Sequence, residues 1–144
     1  MELTKQFSEQ QYRQALDSWT WLDLAGKAPR FTSLFGDVFL ESADGAWWHL
    51  DTFEGELVRG WNTRSDLVAE LETEAGQDRY LLAGLAMGAY HRRELRLGAD
   101  QVYAYAPPPI VTGSFDVDHI AVFDFVVVVN LAGQLHLQLR STSG

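Results

Sequence analysis

Hydrophobic positions in the first part of the chain recur at the spacing of a helix. Tyr12 and Leu16 lie four residues apart, and further apolar residues follow at similar intervals. Ser8 precedes them in a Ser-x-x-Gln pattern, which is typical of a capping box at a helix start. Pro29 ends the pattern because it lacks a backbone N–H. We therefore predict a helical N-terminal region over residues 1–30.

The next pattern alternates between apolar and polar residues, which is the spacing of β-strands. Three short segments of this kind are rich in aromatic and branched residues: 37–41, 47–50 and 56–59. Asp44-Gly45 joins the first two segments, and such a pair is a strong signal for a tight hairpin turn. Gly55 supplies the second turn. These segments predict a three-stranded antiparallel meander.

Helical spacing returns in the middle of the chain. Thr63 or Ser65 would cap a first helix, and the Gly-Gln-Asp sequence at 76–78 would break it. The inward face of this helix would carry apolar residues four positions apart: Leu67, Leu71 and Ala75. A second helix would follow, with these residues inward: Leu81, Leu82, Leu85 and Ala89. We therefore predict two consecutive helices after the meander.

The last third of the chain has the composition of strands. Residues 102–105 alternate as a strand, whereas the three prolines at 107–109 cannot pair in a central strand and would form an extended loop. A valine-rich run over 122–129 and an alternating segment over 135–139 predict two further strands. Residues 141–144 would form a frayed tail.

Together these elements predict an α+β fold: an antiparallel sheet, built from an N-terminal three-stranded meander plus C-terminal strands, with helices packed on one side. A length of 144 residues is typical of one domain, and 47% hydrophobic residues suffice for a core. The chain has no cysteine. Its start lacks the apolar run of a signal peptide, and its longest apolar run is too short to span a membrane. We expect a soluble, cytoplasmic protein that does not bind a membrane.

Charge adds an indication of the partner. The formal net charge is −9, which favours basic partners and repels nucleic acid and anionic lipid. Residues 37–78 contain eleven carboxylates and two arginines, so this segment accounts for the whole net charge of the chain. We expect no direct binding of nucleic acid. An acidic surface that merely keeps the protein soluble is an alternative explanation of the same composition.

The sequence contains few candidate catalytic or metal-binding residues. His49 and Asp51 are two residues apart in a predicted strand and would share a face, but two ligands are too few for a metal site. His136 lies in an alternating segment and is more typical of a surface or hydrogen-bonded histidine than of a catalytic one. Ser114 lacks the Gly-x-Ser-x-Gly pattern of a hydrolase, and no phosphate-binding loop is found. We expect no metal, no cofactor and no enzymatic activity.

The aromatic pair Trp47-Trp48 is a candidate interface feature. Strand alternation sends the two side chains to opposite faces of the sheet, so one would be in the core and the other partly exposed or covered by a helix. Tryptophan is enriched among the residues that contribute most to protein–protein binding. We therefore include Trp48 among the candidate partner-binding residues.

Motifs along the chain resemble a bacterial family. They are Ser-Leu-Phe-Gly-Asp-Val-Phe at 33–39, Ala-Asp-Gly at 43–45, Leu-Asp-Thr at 50–52, the prolines at 107–109, and Gly-Gln-Leu-His-Leu-Gln at 133–138. This order and spacing are similar to those of the C-terminal domain of type VI secretion immunity proteins of the Tdi type, which often follows a GAD-like region. On this resemblance the chain is one immunity-type domain, with its family core over residues 31–140.

The resemblance implies a cognate antitoxin. Such a protein is made beside a secreted effector, stays in the producing cell and binds the effector, which in this family is often a basic DNase. The shared glycines would serve turns: Gly36, Gly45, Gly55 and Gly113. Recognition would fall on acidic residues, for which the candidates are Glu41, Glu54, Glu56, Glu70, Glu72 and Glu74, together with Trp48. We expect a monomer.

Two other classes of function remain open at this stage. The chain could be an acidic regulatory or scaffolding module that binds another basic protein. It could also be an enzyme of unrecognised type with a site around His49, Asp51 and His136. A pocket that holds these three side chains together would favour the enzyme.

Overall fold

The strands form two antiparallel sheets in the computed structural model, which describes residues 2–143. The larger sheet has the order β1-β2-β3-β4-β5, so that consecutive strands are neighbours. Its strands are β1 Thr4–Lys5, β2 Lys27–Ser33, β3 Val38–Ser42, β4 Trp47–Asp51 and β5 Glu56–Trp61. The smaller sheet pairs β6 Gln101–Tyr105 with β7 Ile120–Asp124.

Helices connect and cover these sheets. They are α1 Glu9–Leu16, α2 Arg64–Leu71, α3 Glu74–Leu81, α4 Ala83–Met87, α5 Pro109–Thr112 and α6 Phe125–Ser143. Short 3₁₀ turns at Asp17–Trp19 and Val117–His119 and a π-helical turn at Gly88–Arg92 complete the described elements. The predicted α+β class with an antiparallel sheet is confirmed.

The N-terminal region is only partly helical. The capping box is present, because Ser8 Oγ accepts from the Gln11 amide at 3.1 Å while Gln11 Oε1 accepts from the Ser8 amide at 2.8 Å. The prediction of a purely helical region is wrong, since residues 1–30 also supply β1 and the start of β2. Pro29 lies inside β2 next to a shift of register between Pro29 and Phe31. A strand irregularity tolerates proline because no ladder hydrogen bond is lost there.

The predicted meander is confirmed as β3, β4 and β5. Leu50 is the register partner of both Val38 in β3 and Leu57 in β5, so these three apolar side chains share one face of the sheet. The four glycines expected to serve turns all have a positive φ: Gly36, Gly45, Gly55 and Gly113.

The break between the two middle helices lies earlier than predicted. Thr63 caps α2 as expected, since its hydroxyl accepts from the Asp66 amide at 3.1 Å. Thr73 caps α3 by accepting from the Gly76 amide at 2.9 Å, so Gly76 belongs to α3 and does not end α2. Ala75 is consequently exposed and does not face inward. The N-cap at Thr73 therefore determines where α3 begins, and Gly76 does not break the helix.

The predicted strand over 102–105 is confirmed as β6, whereas the two strands predicted after it are wrong except at residues 122–124. Residues 122–124 belong to β7, but 125–129 and 135–139 lie in the single helix α6. Asp124 Oδ2 accepts from the Val127 amide at 3.0 Å and begins the helix. Residues 141–143, predicted as a frayed tail, continue α6, and Gly144 lies outside the described residues. Across residues 2–143, no helix combines the length and apolar character that crossing a membrane requires.

Helices lie on both faces of the large sheet, and the expectation of one-sided packing is wrong. One core joins the sheet to α1 and α6: Tyr12, Leu16, Trp19, Val38, Leu40, Leu50, Phe125 and Val129. A second core joins the opposite face to α2 and α3: Phe39, Trp47, Trp61, Leu67 and Leu81. Neighbouring residues of one strand therefore serve different cores, as the alternation of a strand requires. Both faces of β3 are apolar for this reason.

Candidate partner-binding surface

Glu54 lies in the turn between β4 and β5, and Glu56 is the first residue of β5. Asp51 begins the turn, because its Oδ1 accepts from the amides of Phe53 at 2.9 Å and Glu54 at 3.1 Å. The Gly55 amide donates to the Asp51 carbonyl at 2.9 Å. Gly55 has a φ of +72°, which glycine adopts without steric cost. Local hydrogen bonds therefore fix the backbone that presents both glutamates.

A buried carboxylate supports the same turn from β3. Asp37 Oδ1 accepts from the Thr52 amide at 2.9 Å and from the Thr52 hydroxyl at 2.6 Å. Burial, followed by the nearby Asp51 carboxylate, raises the pKa of Asp37 to about 7, while the Thr52 hydrogen bonds act in the opposite direction. The position of the turn thus depends on a carboxyl group that titrates near neutral pH.

Helix α6 holds the turn from the other side. His136 Nε2–H donates to the Thr52 carbonyl at 2.8 Å, and the His136 ring packs against Gly55, where a Cβ atom would lie 2.7 Å from Nδ1. Arg140 donates to the Gly55 carbonyl at 3.2 Å. Of the two predicted alternatives for His136, the hydrogen-bonded one is confirmed and the surface one is wrong, because the side chain is buried; the residue lies in a helix and not in a strand.

Five of the candidate carboxylates are open to partners. Among residues 2–143, no ion pair involves the following side chains: Glu54, Glu56, Glu70, Glu72 and Glu74. Glu70 is half-buried and the other four are exposed. The last three lie around the α2–α3 connection, whose shape Thr73 fixes by donating to the Glu70 carbonyl at 2.7 Å. Negative charge on a rigid backbone, without an internal counter-ion, is available to a basic partner.

Glu41 and Trp48 differ from these five residues. Arg30 pairs with Glu41 at 3.1 Å, which neutralises much of its charge. Trp48 is partly buried against the core beneath α1 and α6, its indole N–H donates to Ser42 Oγ at 3.0 Å, and Lys27 Nζ lies 4.3 Å from its ring centroid. Both side chains are therefore already engaged within the protein.

The structure does not bring all the predicted site residues into one patch. Trp48 faces α1 and α6, whereas α2 and α3 cover the opposite face of the sheet. Glu41 pairs in register with Trp47, and Glu56 pairs with Asp51 at the other end of β4. Four residues along a strand correspond to roughly 13 Å. The turn that bears Glu54 and leads to Glu56, and the α2–α3 connection, are the two sites that combine exposure with unpaired charge.

Other acidic groups serve the fold. Asp44 accepts from the Ser42 hydroxyl and from the Ala46 amide, and its second oxygen lies 3.0 Å from Arg59 Nη1. These interactions, with the Ser42 hydrogen bond contributing most, lower the pKa of Asp44 to about 2. The predicted turn role of Asp44 is confirmed.

The three side chains of the enzyme alternative do not share a pocket. His49 lies on the α3 side of the sheet, with its ring 5.5 Å from that of Tyr80, and burial lowers the pKa of His49 to about 4. His136 lies on the opposite side, with its ring 5.6 Å from that of Trp19. Residues 2–143 contain no group of three or more potential metal ligands. This set of residues therefore offers no assembled catalytic centre.

Sequence patterns missed an apolar groove beside α6. It encloses about 520 Å³ between α6 and the segment that leads from β6 into α5. Val127 and Leu131 lie on the α6 wall, and both are more than half exposed. Their spacing of four residues is a helical signal, but the branched residues around them favoured a strand. Because this part of the chain was predicted as strands, the groove beside α6 was not predicted.

Comparisons with known proteins bear on the fold alone. No protein-family model matches the chain, and no curated protein resembles it in sequence. The solved structures that are similar include the crystal structure of Atu4351 from Agrobacterium tumefaciens, with a TM-score of 0.61 and 15% sequence identity. The match covers 92% of this chain and 66% of that chain, so this chain spans just under two thirds of its neighbour's length.

Proposed function

We propose that this protein is a cytoplasmic immunity protein that binds and neutralises a cognate type VI secretion effector, a basic nuclease. The observation that carries the proposal is the set of five carboxylates without an ion pair among the described residues: Glu54, Glu56, Glu70, Glu72 and Glu74. The motif resemblance over residues 31–140 supports the same proposal independently.

Charge complementarity explains how such a surface inhibits. A nuclease needs a cationic cleft to hold phosphates, and a surface of fixed carboxylates competes for that cleft by presenting the same sign of charge as the substrate. Complementary potentials accelerate encounter toward about 10⁸–10⁹ M⁻¹s⁻¹ at low salt. Fast capture is valuable when free toxin cleaves the DNA of the cell that makes it.

The supporting hydrogen bonds make this surface preorganised. Thr52 is bound by Asp37 through its two donors and by His136 through its carbonyl. A turn held in this way loses little conformational entropy when a partner binds Glu54 and Glu56, so more of the interaction energy contributes to affinity.

Co-expression with the toxin encoded beside its gene tests the proposal. We expect the protein to rescue growth and to co-purify with the toxin in a complex that salt weakens. The triple variant Glu70→Lys, Glu72→Lys and Glu74→Lys should lose the complex while keeping its fold. Rescue without any complex would contradict neutralisation by binding.

A matched control separates a local effect from a general loss of negative charge. The control is a triple variant at exposed carboxylates outside residues 37–78: Glu2→Lys, Asp17→Lys and Glu94→Lys. Both triple variants change the formal net charge by the same amount. The control should bind the toxin like the wild type, and equal weakening by the two variants would contradict a specific role of the α2–α3 connection.

A further inference from the structure

The groove beside α6 has two apolar walls and an aromatic floor. Val127 and Leu131 form part of the α6 wall, and Pro108 and Ile110 form part of the opposite wall. The floor includes Phe53 and Tyr105, whose ring centroids are 5.9 Å apart. Its volume of about 520 Å³ is within the range of protein binding sites.

The groove exposes large apolar side chains that a folded chain normally buries. The exposed fraction is 53% for Val127, 56% for Leu131 and 42% for Ile110. These side chains line one concavity and are not scattered singly over the surface. Contiguous apolar surface of this kind marks interaction sites in proteins.

Two aspartates without an ion pair among the described residues lie next to the groove. They are Asp124, which follows the groove residue Phe123, and Asp116; Asp118 is not counted because Arg92 pairs with it at 3.6 Å. Asp124 binds the Val127 amide, and Asp116 follows Phe115, whose ring lies 5.5 Å from that of Tyr105. The pKa of Tyr105 rises to about 12 through burial and then through the charge of Asp116, which places that carboxylate close to the floor.

Arg140 and Arg93 both bind backbone carbonyls. Arg140, one turn beyond His136 on α6, donates to the Gly55 carbonyl and lies 4.5 Å from the Trp21 ring centroid. Arg93 donates to the Val117 and Ile120 carbonyls at 2.9 and 2.8 Å. The groove therefore combines apolar walls with two neighbouring aspartates, Asp116 and Asp124, which form no ion pair among the described residues and are here called the aspartate rim.

We propose that this groove receives an amphipathic, cationic segment of the effector, with apolar side chains between the walls and lysine or arginine at the aspartate rim. The inference rests on the proposed function and deepens it by specifying how the partner docks. From Val127 to Gln138 the α6 wall extends over about 16 Å, which matches about three turns of a helix. Helix-in-groove recognition uses this geometry.

The groove is continuous with the acidic turn. Thr52 and Phe53 line the groove and belong to the same turn as Glu54. A partner segment seated between the walls would therefore reach Glu54 with a flanking cation. The apolar groove would add binding energy to that of the carboxylates, and Glu54 would orient the segment.

Variants at two leucines of α6 test the inference. Leu131 lines the groove, whereas Leu137 lies on the same helix outside it and has a similar exposed fraction, 44%. Leu131→Lys should raise the Kd for purified effector by roughly tenfold or more. Leu131→Glu should raise it less, because a carboxylate suits a cationic segment. Leu137→Lys should change it by less than about twofold, as expected for a surface position outside the contact.

The outcomes distinguish this inference from the proposed function. If wild type binds the effector and Leu131→Lys binds equally well, the groove is not the docking site and the immunity function stands. Equal loss for the lysine and glutamate variants would overturn the cationic character of the segment. A wild-type dimer that Leu131→Lys dissociates would assign the groove to a second copy of this chain and overturn the inference.

A peptide probe tests, without the effector, whether the groove prefers a cationic amphipathic helix. The probe has about three helical turns, with leucines on one face and lysines elsewhere, and its partner peptide has glutamate in place of lysine. We expect the lysine peptide alone to shift the amide resonances of groove residues in wild type and in Leu137→Lys. Shifts of equal size with the glutamate peptide, or equal shifts in Leu131→Lys, would overturn the proposal. Failure of wild type to bind any effector would instead refute the proposed function.

Discussion

The carboxylate of Asp37 satisfies both hydrogen-bond donors of Thr52, the amide at 2.9 Å and the hydroxyl at 2.6 Å, with a single oxygen. Both residues are buried. This pair connects the start of β3 to the turn that presents Glu54 and Glu56, although the two residues are fifteen positions apart. The geometry of the acidic turn therefore depends on a contact in the interior.

Removal of this acceptor should destabilise the protein. Asp37→Ala leaves two buried donors of Thr52 without a partner, and we expect the free energy of unfolding to fall by about 2–4 kcal/mol. Asp37→Asn keeps an acceptor oxygen, so its free energy of unfolding should fall less than that of Asp37→Ala. Urea denaturation followed by tryptophan fluorescence measures both changes. A loss below about 0.5 kcal/mol for Asp37→Ala would contradict this role.

Two buried groups should make opposite contributions to the pH dependence of stability. The pKa of Asp37 is raised from 3.8 to about 7 by burial, so the native state binds this proton more tightly and stability falls as pH rises between about 4 and 7. The pKa of His49 is lowered from 6.5 to about 4 by burial, so the unfolded state binds that proton more tightly and stability rises between about pH 4 and 6.5.

Single variants should separate these two contributions. Relative to wild type, the free energy of unfolding of Asp37→Asn should increase as pH rises from 4 to 7, and that of His49→Phe should decrease from 4 to 6.5. Phenylalanine suits the second site, because His49 lies between the rings of Phe39 and Tyr80. Urea titrations at several pH values measure the differences. Parallel curves for all three proteins would contradict the assignment.

The close approach of His136 to Gly55 should make this glycine more sensitive than another turn glycine. Gly45 and Gly55 both have a positive φ, but only at Gly55 would a Cβ meet a side chain, 2.7 Å from His136 Nδ1. Gly45→Ala should cost about 1–2 kcal/mol from backbone strain alone. Gly55→Ala should cost at least about 1 kcal/mol more because of the added steric conflict. Equal melting temperatures for the two variants would show that His136 does not constrain the turn.

Replacement of a glycine inside α6 by alanine should destabilise the protein, although alanine has the higher helix propensity. A Cβ at Gly133 would lie 2.8 Å from Trp19 Nε1, because α6 approaches the Trp19 turn closely there. Gly133→Ala should therefore destabilise by about 1–3 kcal/mol. Gly84→Ala in α4, where the nearest atom is 3.8 Å away, should stabilise by up to about 1 kcal/mol. Stabilisation by both substitutions would contradict the observed packing of α6.

Local signals in the sequence predicted the meander and the first helix correctly. Asp44-Gly45 places a turn, and the Ser8 capping box places a helix start, because in each case neighbouring atoms supply the hydrogen bonds. The same locality explains the turn hydrogen bonds of Asp51. Contacts between residues close in sequence require no knowledge of the tertiary structure.

The C-terminal helix was not predictable by these means. Four consecutive valines at 126–129 favour a strand, and Gly133 resembles a turn residue. Tertiary contacts decide otherwise: Phe125 and Val129 are one helical turn apart in the core, and Gly133 allows Trp19 to approach. The groove beside α6 could not be inferred until this element was known to be a helix.

The association kinetics of the protein with its purified effector test the proposed function most directly. We expect an association rate constant that falls steeply with salt concentration, and a triple variant with lysine at Glu70, Glu72 and Glu74 that associates at least about tenfold more slowly at low salt. The triple control at Glu2, Asp17 and Glu94 should associate like the wild type. Equal, salt-independent rates for all three proteins would contradict recognition of a basic effector through these carboxylates.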